Sequence, residues 1–144
     1  MKRKSSALWK GTGLEGKGSL TSTSGVLNNT PYSFNTRFVS EDGKAGTNPE
    51  ELIAAAHAGC FTMALSFMLD KAGFTATELK TEAIVSIEMV VDHFEIKSVH
   101  LELVGEVPGI TEDKFSELAK EAKANCPISQ ALKAIEITLT AKLK

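Results

Sequence analysis

Cys60 and Cys126 are the two cysteines of the chain, and a deprotonated thiol is an effective nucleophile near neutral pH. Cys60 stands between Gly59 and Phe61 in the segment AAAHAGCFTMAL. There it reads either as a small buried hydrophobe or as a nucleophile. Burial raises a thiol pKa, so a reactive Cys60 requires a cationic group nearby to offset it. Cys126 directly precedes Pro127 and the helical pattern ISQALK. Its sulfur could lie at a helix N-terminus, where unpaired backbone N–H groups favour a thiolate. The alternative is that Cys126 merely occupies the cap position, with Asn125 as polar neighbour. A redox or catalytic pair and two independent buried thiols both remain open from the residues alone.

Other side chains could serve a thiol. His57 lies three residues before Cys60 on the same helical face, which suggests a nucleophile and base. The plainer reading is a core histidine bonded to backbone or water. Of sixteen basic residues only Arg3 and Arg37 are arginine, and Arg37 is internal, in FNTRF, where it either ends a strand as a surface charge or acts as a fixed cation. Glu50 and Glu51 open a helix, where carboxylates suit the dipole without further role. His93 and His100 read as surface residues of a hairpin. The cysteines and histidines show no metal-ligand spacing, so no structural metal is expected.

The chain as a whole limits the options. At 144 residues it is expected to form a single domain over 1–144. A net charge of −2 recommends neither nucleic acid nor an anionic membrane as partner. The basic start MKRKSSALWKG is followed by no apolar h-region, so a secretory signal is not expected and the cytoplasm is the default. The apolar run AAAHAGCFTMALSFML is interrupted by His57, Thr62 and Ser66, which reads as too short and too polar for a membrane span.

The elements that must position these residues follow from pattern. Residues 5–38 read as two or three antiparallel strands, with a turn at Asn28-Asn29-Thr30-Pro31. Residues 39–47 read as a loop. Asn48 is a helix cap, Pro49 fits the first helical position and Glu51 has the capping-box spacing. The helix runs to a stop at Gly73, about 24 residues and roughly 36 Å long. It is apolar all round over 52–69 and should be buried on most sides. Residues 79–107 read as a long hairpin turning near Val91-Asp92-His93. Phe115, Leu118, Ala119 and Ala122 recur at helical spacing between Thr111 and Asn125. A short helix starts at Cys126-Pro127. A last strand alternates through Ile135, Ile137, Leu139, Ala141 and Leu143. The class is α+β.

Five segments together resemble the OsmC/Ohr family of organic hydroperoxide reductases: SGVLNNTPYSFNTRF, GTNPEELIAAAHAGCFTMAL, AGFTATEL, VPGI and KANCPISQALKAIEITL. They occur in family order and span nearly the whole chain after the first strand. FNTRF makes the OsmC branch the better match. The resemblance implies an OsmC-like fold, with antiparallel sheets around long buried central helices in an intertwined homodimer. It also implies a peroxidatic cysteine at Cys60, a resolving cysteine at Cys126, and an Arg–Glu pair at Arg37 and Glu50. Where a typical member has two alanines before the cysteine, this chain has Ala58-Gly59. A helical glycine costs about 1 kcal/mol relative to alanine.

The chemistry so implied is thiol-dependent peroxidation of a small organic hydroperoxide, with no bound cofactor. Lowering a thiol pKa from about 8.5 to about 6 takes roughly 3.4 kcal/mol. One guanidinium about 4 Å away, at an effective dielectric near 20, supplies on the order of 4 kcal/mol. Arg37 is therefore sufficient, and Glu50 would hold it through a bidentate contact. A Cys60 sulfenic acid would be captured by Cys126 as a disulfide. Recycling would fall to an external dithiol, protein or small thiol, of lipoyl type in the best-known members. Glu50 and Cys60 are ten residues apart on one helix, about 15 Å along its axis. The resemblance resolves this by a symmetric dimer, with Arg37 and Glu50 of one subunit facing Cys60 and Cys126 of the other. One rival is a non-redox dimer of the same fold binding a small apolar ligand. Another is a hydrolase using Cys60 and His57, for which the chain offers no oxyanion-hole glycine run.

Overall fold

Three short strands, the second rich in serine and threonine, precede the helices. The computed structural model describes residues 1–40 and 43–144, and the chain divides into two compact units, Met1–Leu52 and Ile53–Lys144. In the first unit β1 (Ser5–Lys10), β2 (Lys17–Ser22) and β3 (Thr30–Tyr32) form an antiparallel sheet in that order. The turn into β3 lies slightly earlier than its composition suggests. Asn29 takes the left-handed conformation at φ 51°, which asparagine tolerates, while Thr30 and Pro31 already pair with β2. Pro31 sits on an edge strand, where its missing N–H is harmless. The Trp9 and Tyr32 rings meet with centroids 5.4 Å apart. Gly18 lies against both, and a Cβ there would stand 2.3 Å from Tyr32.

FNTRF is not the end of a strand. It forms a short helix, α1 (Phe34–Phe38), so Arg37 projects from a helical turn. The cause is a reciprocal cap. The Thr36 N–H donates to Ser33 Oγ at 3.2 Å, and the Ser33 N–H donates to Thr36 Oγ1 at 2.8 Å. Threonine takes the place that glutamate or glutamine usually fills in a capping box. The loop expected over 39–47 has neither helix nor strand at its described positions; residues 41 and 42 of it lie outside the described residues.

The long helix, α2 (Pro49–Lys71), is built at both ends as its sequence predicts. The Glu51 N–H donates to Asn48 Oδ1 at 2.8 Å, although the Glu51 carboxylate accepts from the Thr47 hydroxyl at 2.5 Å. At the other end Gly73 takes φ 86°. Phe74 N–H reaches Leu69 O at 2.9 Å and Gly73 N–H reaches Asp70 O at 3.0 Å, a Schellman stop.

In the second unit β4 (Glu78–Val90) and β5 (His93–Glu106) make the expected hairpin. Val91 turns it at φ 59°, and a bulge separates Ser86 from Ile87. β6 (Glu136–Leu143) joins β5 parallel rather than antiparallel. Such pairing needs a crossover, which α3 (Glu112–Asn125) and α4 (Pro127–Ala131) supply. One core gathers Phe61, Leu65 and Leu69 of α2, Val99, Leu101 and Leu103 of β5, and Phe115, Leu118, Ala119 and Ala122 of α3.

One expectation for α2 changes. By length and composition alone the helix is long and apolar enough to cross a membrane, but this does not overturn the reading of a core helix. Its Phe61, Leu65 and Leu69 side is spent on the protein core. Burial on most sides does not hold within one chain, since Met63 and Phe67 stay 59% and 69% exposed.

Candidate functional site

α3 hands over to α4 at a single residue. Cys126 closes α3, with its N–H bonded to Ala122 O, and is also the N-cap of α4. Pro127 at the first position of α4 forces the break, because its ring cannot continue the preceding helix. The Cys126 side chain is fully buried and makes no capping bond to its own helix. It points to α2. Both thiols are free, and Cys126 Sγ donates to Cys60 Sγ at 2.9 Å.

Four influences act on the Cys60 thiol. Burial pushes its pKa up, the bond from Cys126 and the charge interaction with it add to this, and the backbone N–H of Ile128 opposes them. The free N–H of the α4 end thus serves the sulfur of Cys60, not that of Cys126. Within the chain the balance leaves Cys60 above an ordinary thiol.

His57 is brought to the same place but is not aimed at a sulfur. Its Nε2 lies 2.7 Å from Ser129 Oγ. The ring is fully buried, and burial lowers its pKa. Among the described residues Nδ1 has no hydrogen-bond partner. A Cys60–His57 base pair, and with it the hydrolase alternative, gains no support from this arrangement. Ser129 is the partner of His57 that residue types alone missed. The C-x-x-S spacing of CPIS, which mirrors H-x-x-C in HAGC, draws notice only once His57 is placed opposite it.

Arg37 and Glu50 meet in the first unit. Arg37 Nε donates to Glu50 Oε2 at 3.1 Å and Nη2 to Oε1 at 2.6 Å, the parallel two-bond geometry of a guanidinium on a carboxylate. The guanidinium also lies 4.8 Å from the centre of the Phe38 ring. Trp9, Tyr32, Phe34 and Pro49 join Arg37 and Phe38 around a cleft of about 160 Å³. The structure therefore makes two pairs of the four candidates: Arg37 with Glu50, and Cys60 with Cys126. His93 lies exposed between Asp92 and Glu95, and His100 bonds Thr138 and Thr140. Among the described residues no three of His, Cys, Asp and Glu are grouped to hold a metal.

The profile of a family described as OsmC-like protein matches residues 41–140. Peroxiredoxin OsmC of Escherichia coli (strain K12) is 52% identical over 142 residues, covering 99% of this chain and 96% of its own. An organic hydroperoxide resistance protein of Xanthomonas axonopodis pv. citri (strain 306) is 36% identical over 102 residues, 68% of each chain. The crystal structure of the organic hydroperoxide resistance protein OhrB of Bacillus subtilis is similar at a TM-score of 0.70 and 26% identity, over 98% of both chains.

Proposed function

The chain belongs to the OsmC/Ohr family and is an enzyme of peroxidase type, and from that premise we propose that it reduces organic hydroperoxides through a Cys60–Cys126 thiol–disulfide cycle. The observation that carries this reading is the 2.9 Å separation of two free sulfurs. A disulfide bond is about 2.05 Å long, so closure needs only a small movement.

The cycle balances with the chain's own groups and one external reductant. The Cys60 thiolate attacks the terminal peroxide oxygen; the O–O bond breaks, and the alkoxide leaves and takes a proton to become the alcohol. Cys60 is left as a sulfenic acid. The Cys126 sulfur then displaces the hydroxyl, which departs as water with the thiol proton, and the disulfide forms. An external dithiol, lipoyl-type or another protein or small thiol, returns two electrons and two protons.

Charge enters from Arg37. Within one chain burial leaves the Cys60 thiol high, the wrong direction for a nucleophile. A guanidinium held by Glu50 remains charged at any working pH and would reverse that shift if brought to the sulfur. Helical rise alone separates Glu50 from Cys60 by about 15 Å along the axis. A homodimer, in which Arg37 and Glu50 of one subunit meet the thiols of the other, removes the difficulty. Exposure of Met63 and Phe67 on α2 supports such a partner. In this reading the two units are parts of one OsmC-like domain completed by dimerisation. A reducing cytoplasm suits an enzyme whose resting cysteines are free.

The aromatic cleft around Arg37 also supports the second reading, a non-redox dimer that binds a small apolar ligand. Consumption of cumene hydroperoxide in the presence of a dithiol separates the two. Catalytic consumption, faster than with hydrogen peroxide, is the outcome for the peroxidase. Binding of cumyl alcohol with no loss of peroxide is the outcome for the binder.

A further inference from the structure

Among the described residues, two side-chain hydrogen bonds join α2 to Cys126 and α4, the residues of each side standing three apart. Cys60 meets Cys126 at 2.9 Å. His57, three residues earlier on α2, meets Ser129, three residues later, at 2.7 Å. The segments therefore run antiparallel at this point, linked by a sulfur rung and a polar rung. His57 and Cys60, three apart on α2, lie on one face of it, so the two rungs stand side by side. The Ile128 N–H on Cys60 comes from between them.

The polar rung stands alone. The His57 ring is fully buried, and with Nδ1 unpartnered its only hydrogen bond among the described residues is the one to Ser129. α4 is a five-residue helix, too short to be fixed by its own backbone bonds. Its register on α2 rests on side-chain contacts. Removing the hydroxyl would leave both nitrogens of a buried imidazole without a partner, a penalty that favours movement of α4.

We infer that His57 and Ser129 form a positioning clamp that holds the Cys126 turn in register with Cys60 and so sets the rate of disulfide closure rather than the rate of peroxide attack. Attack is made by the Cys60 thiolate, whose backbone belongs to α2. Closure joins Cys60 to Cys126, and it is the step that depends on where α4 sits. The inference rests on the thiol–disulfide reading, but closure can be triggered without peroxide.

The test measures both steps in Ser129→Ala, Ser129→Thr and wild type without reductant. Cumene hydroperoxide starts a single turnover, followed by quenched-flow mass analysis of sulfenic acid and disulfide. Separately, one equivalent of methyl methanethiosulfonate forms a Cys60 mixed disulfide. Closure by Cys126 then releases methanethiol and conserves electrons. Ser129→Ala is expected to slow closure about tenfold in both assays, the worth of one buried hydrogen bond. Attack should change no more than about twofold, and sulfinic Cys60 should accumulate. Ser129→Thr, which keeps the hydroxyl, should restore closure. Should Ser129→Ala fail to fold, His57→Phe keeps the ring volume without its nitrogens and takes its place. Unchanged closure in a folded variant, or attack and closure falling by the same factor, overturns the clamp. Should peroxide leave wild type untouched while Ser129→Ala still slows methanethiol release, the clamp stands and the peroxidase reading fails.

Discussion

Arg37 grips Glu50 with two of its guanidinium nitrogens, Nε at 3.1 Å and Nη2 at 2.6 Å, while the Cys60 thiol is pushed up by burial. In the proposed reading, a held cation and a thiol in need of one are the two halves of a composite site. Arg37→Ala is expected to move the midpoint of iodoacetamide alkylation of Cys60 upward by about 1–3 pH units, the usual effect of one close opposite charge. Glu50→Gln should move it less, because the cation remains but is less firmly aimed. A midpoint unmoved in Arg37→Ala would remove Arg37 from the site.

The two cysteines should fail differently. Cys60→Ser is expected to abolish hydroperoxide consumption, since a serine hydroxyl at its free pKa is no substitute for a thiolate. Cys126→Ser should permit one turnover and leave Cys60 as a sulfenic or over-oxidised acid. Equal turnover by both variants with a dithiol present would dissolve these roles.

His57 ties stability to pH. In the unfolded chain it takes a proton below about 6.5, whereas burial in the fold lowers its pKa. The unfolded state therefore binds more protons as pH falls through that range, and stability falls with it. The Tm advantage of wild type over His57→Gln should narrow between about pH 7.5 and about pH 5.5. A difference that is constant across this window would mean that His57 is not buried in its neutral form.

Much of the frame was legible because local chemistry and tertiary demand agree. Asn48 and Gly73 bound α2 as their residue types require, and Val91 turns the hairpin where the alternation breaks. α1 was not legible as a helix. Tyr32, Phe34 and Thr36 look like strand residues, and the cap that overrides them uses threonine in place of an acid. The parallel pairing of β6 was also hidden, since periodicity reports which face a strand buries and not its direction. For the site, cysteine chemistry and the family resemblance together pointed to Cys60 and Cys126. Ser129 stayed hidden because a serine earns meaning only from the imidazole opposite it. The one-sided burial of α2 was missed because an all-round apolar pattern does not say which chain covers each face.

A composite site can be tested by complementation. Cys60→Ser and Arg37→Ala protomers, each inactive alone, should regain activity when refolded together. One site of each heterodimer then combines an intact Cys60 with the Arg37 of the other chain. Verified heterodimers that stay inactive, with both homodimers folded, would place Arg37 at the thiol of its own chain.

The central claim is that a hydroperoxide closes Cys60 onto Cys126, and intact mass with peptide mapping measures it directly. One equivalent of cumene hydroperoxide, without reductant, should remove two hydrogens, about 2 Da, from each chain. A single Cys60–Cys126 linked peptide should appear, and dithiol should reverse both changes. An unchanged mass with both thiols still free and the peroxide unconsumed would contradict the account.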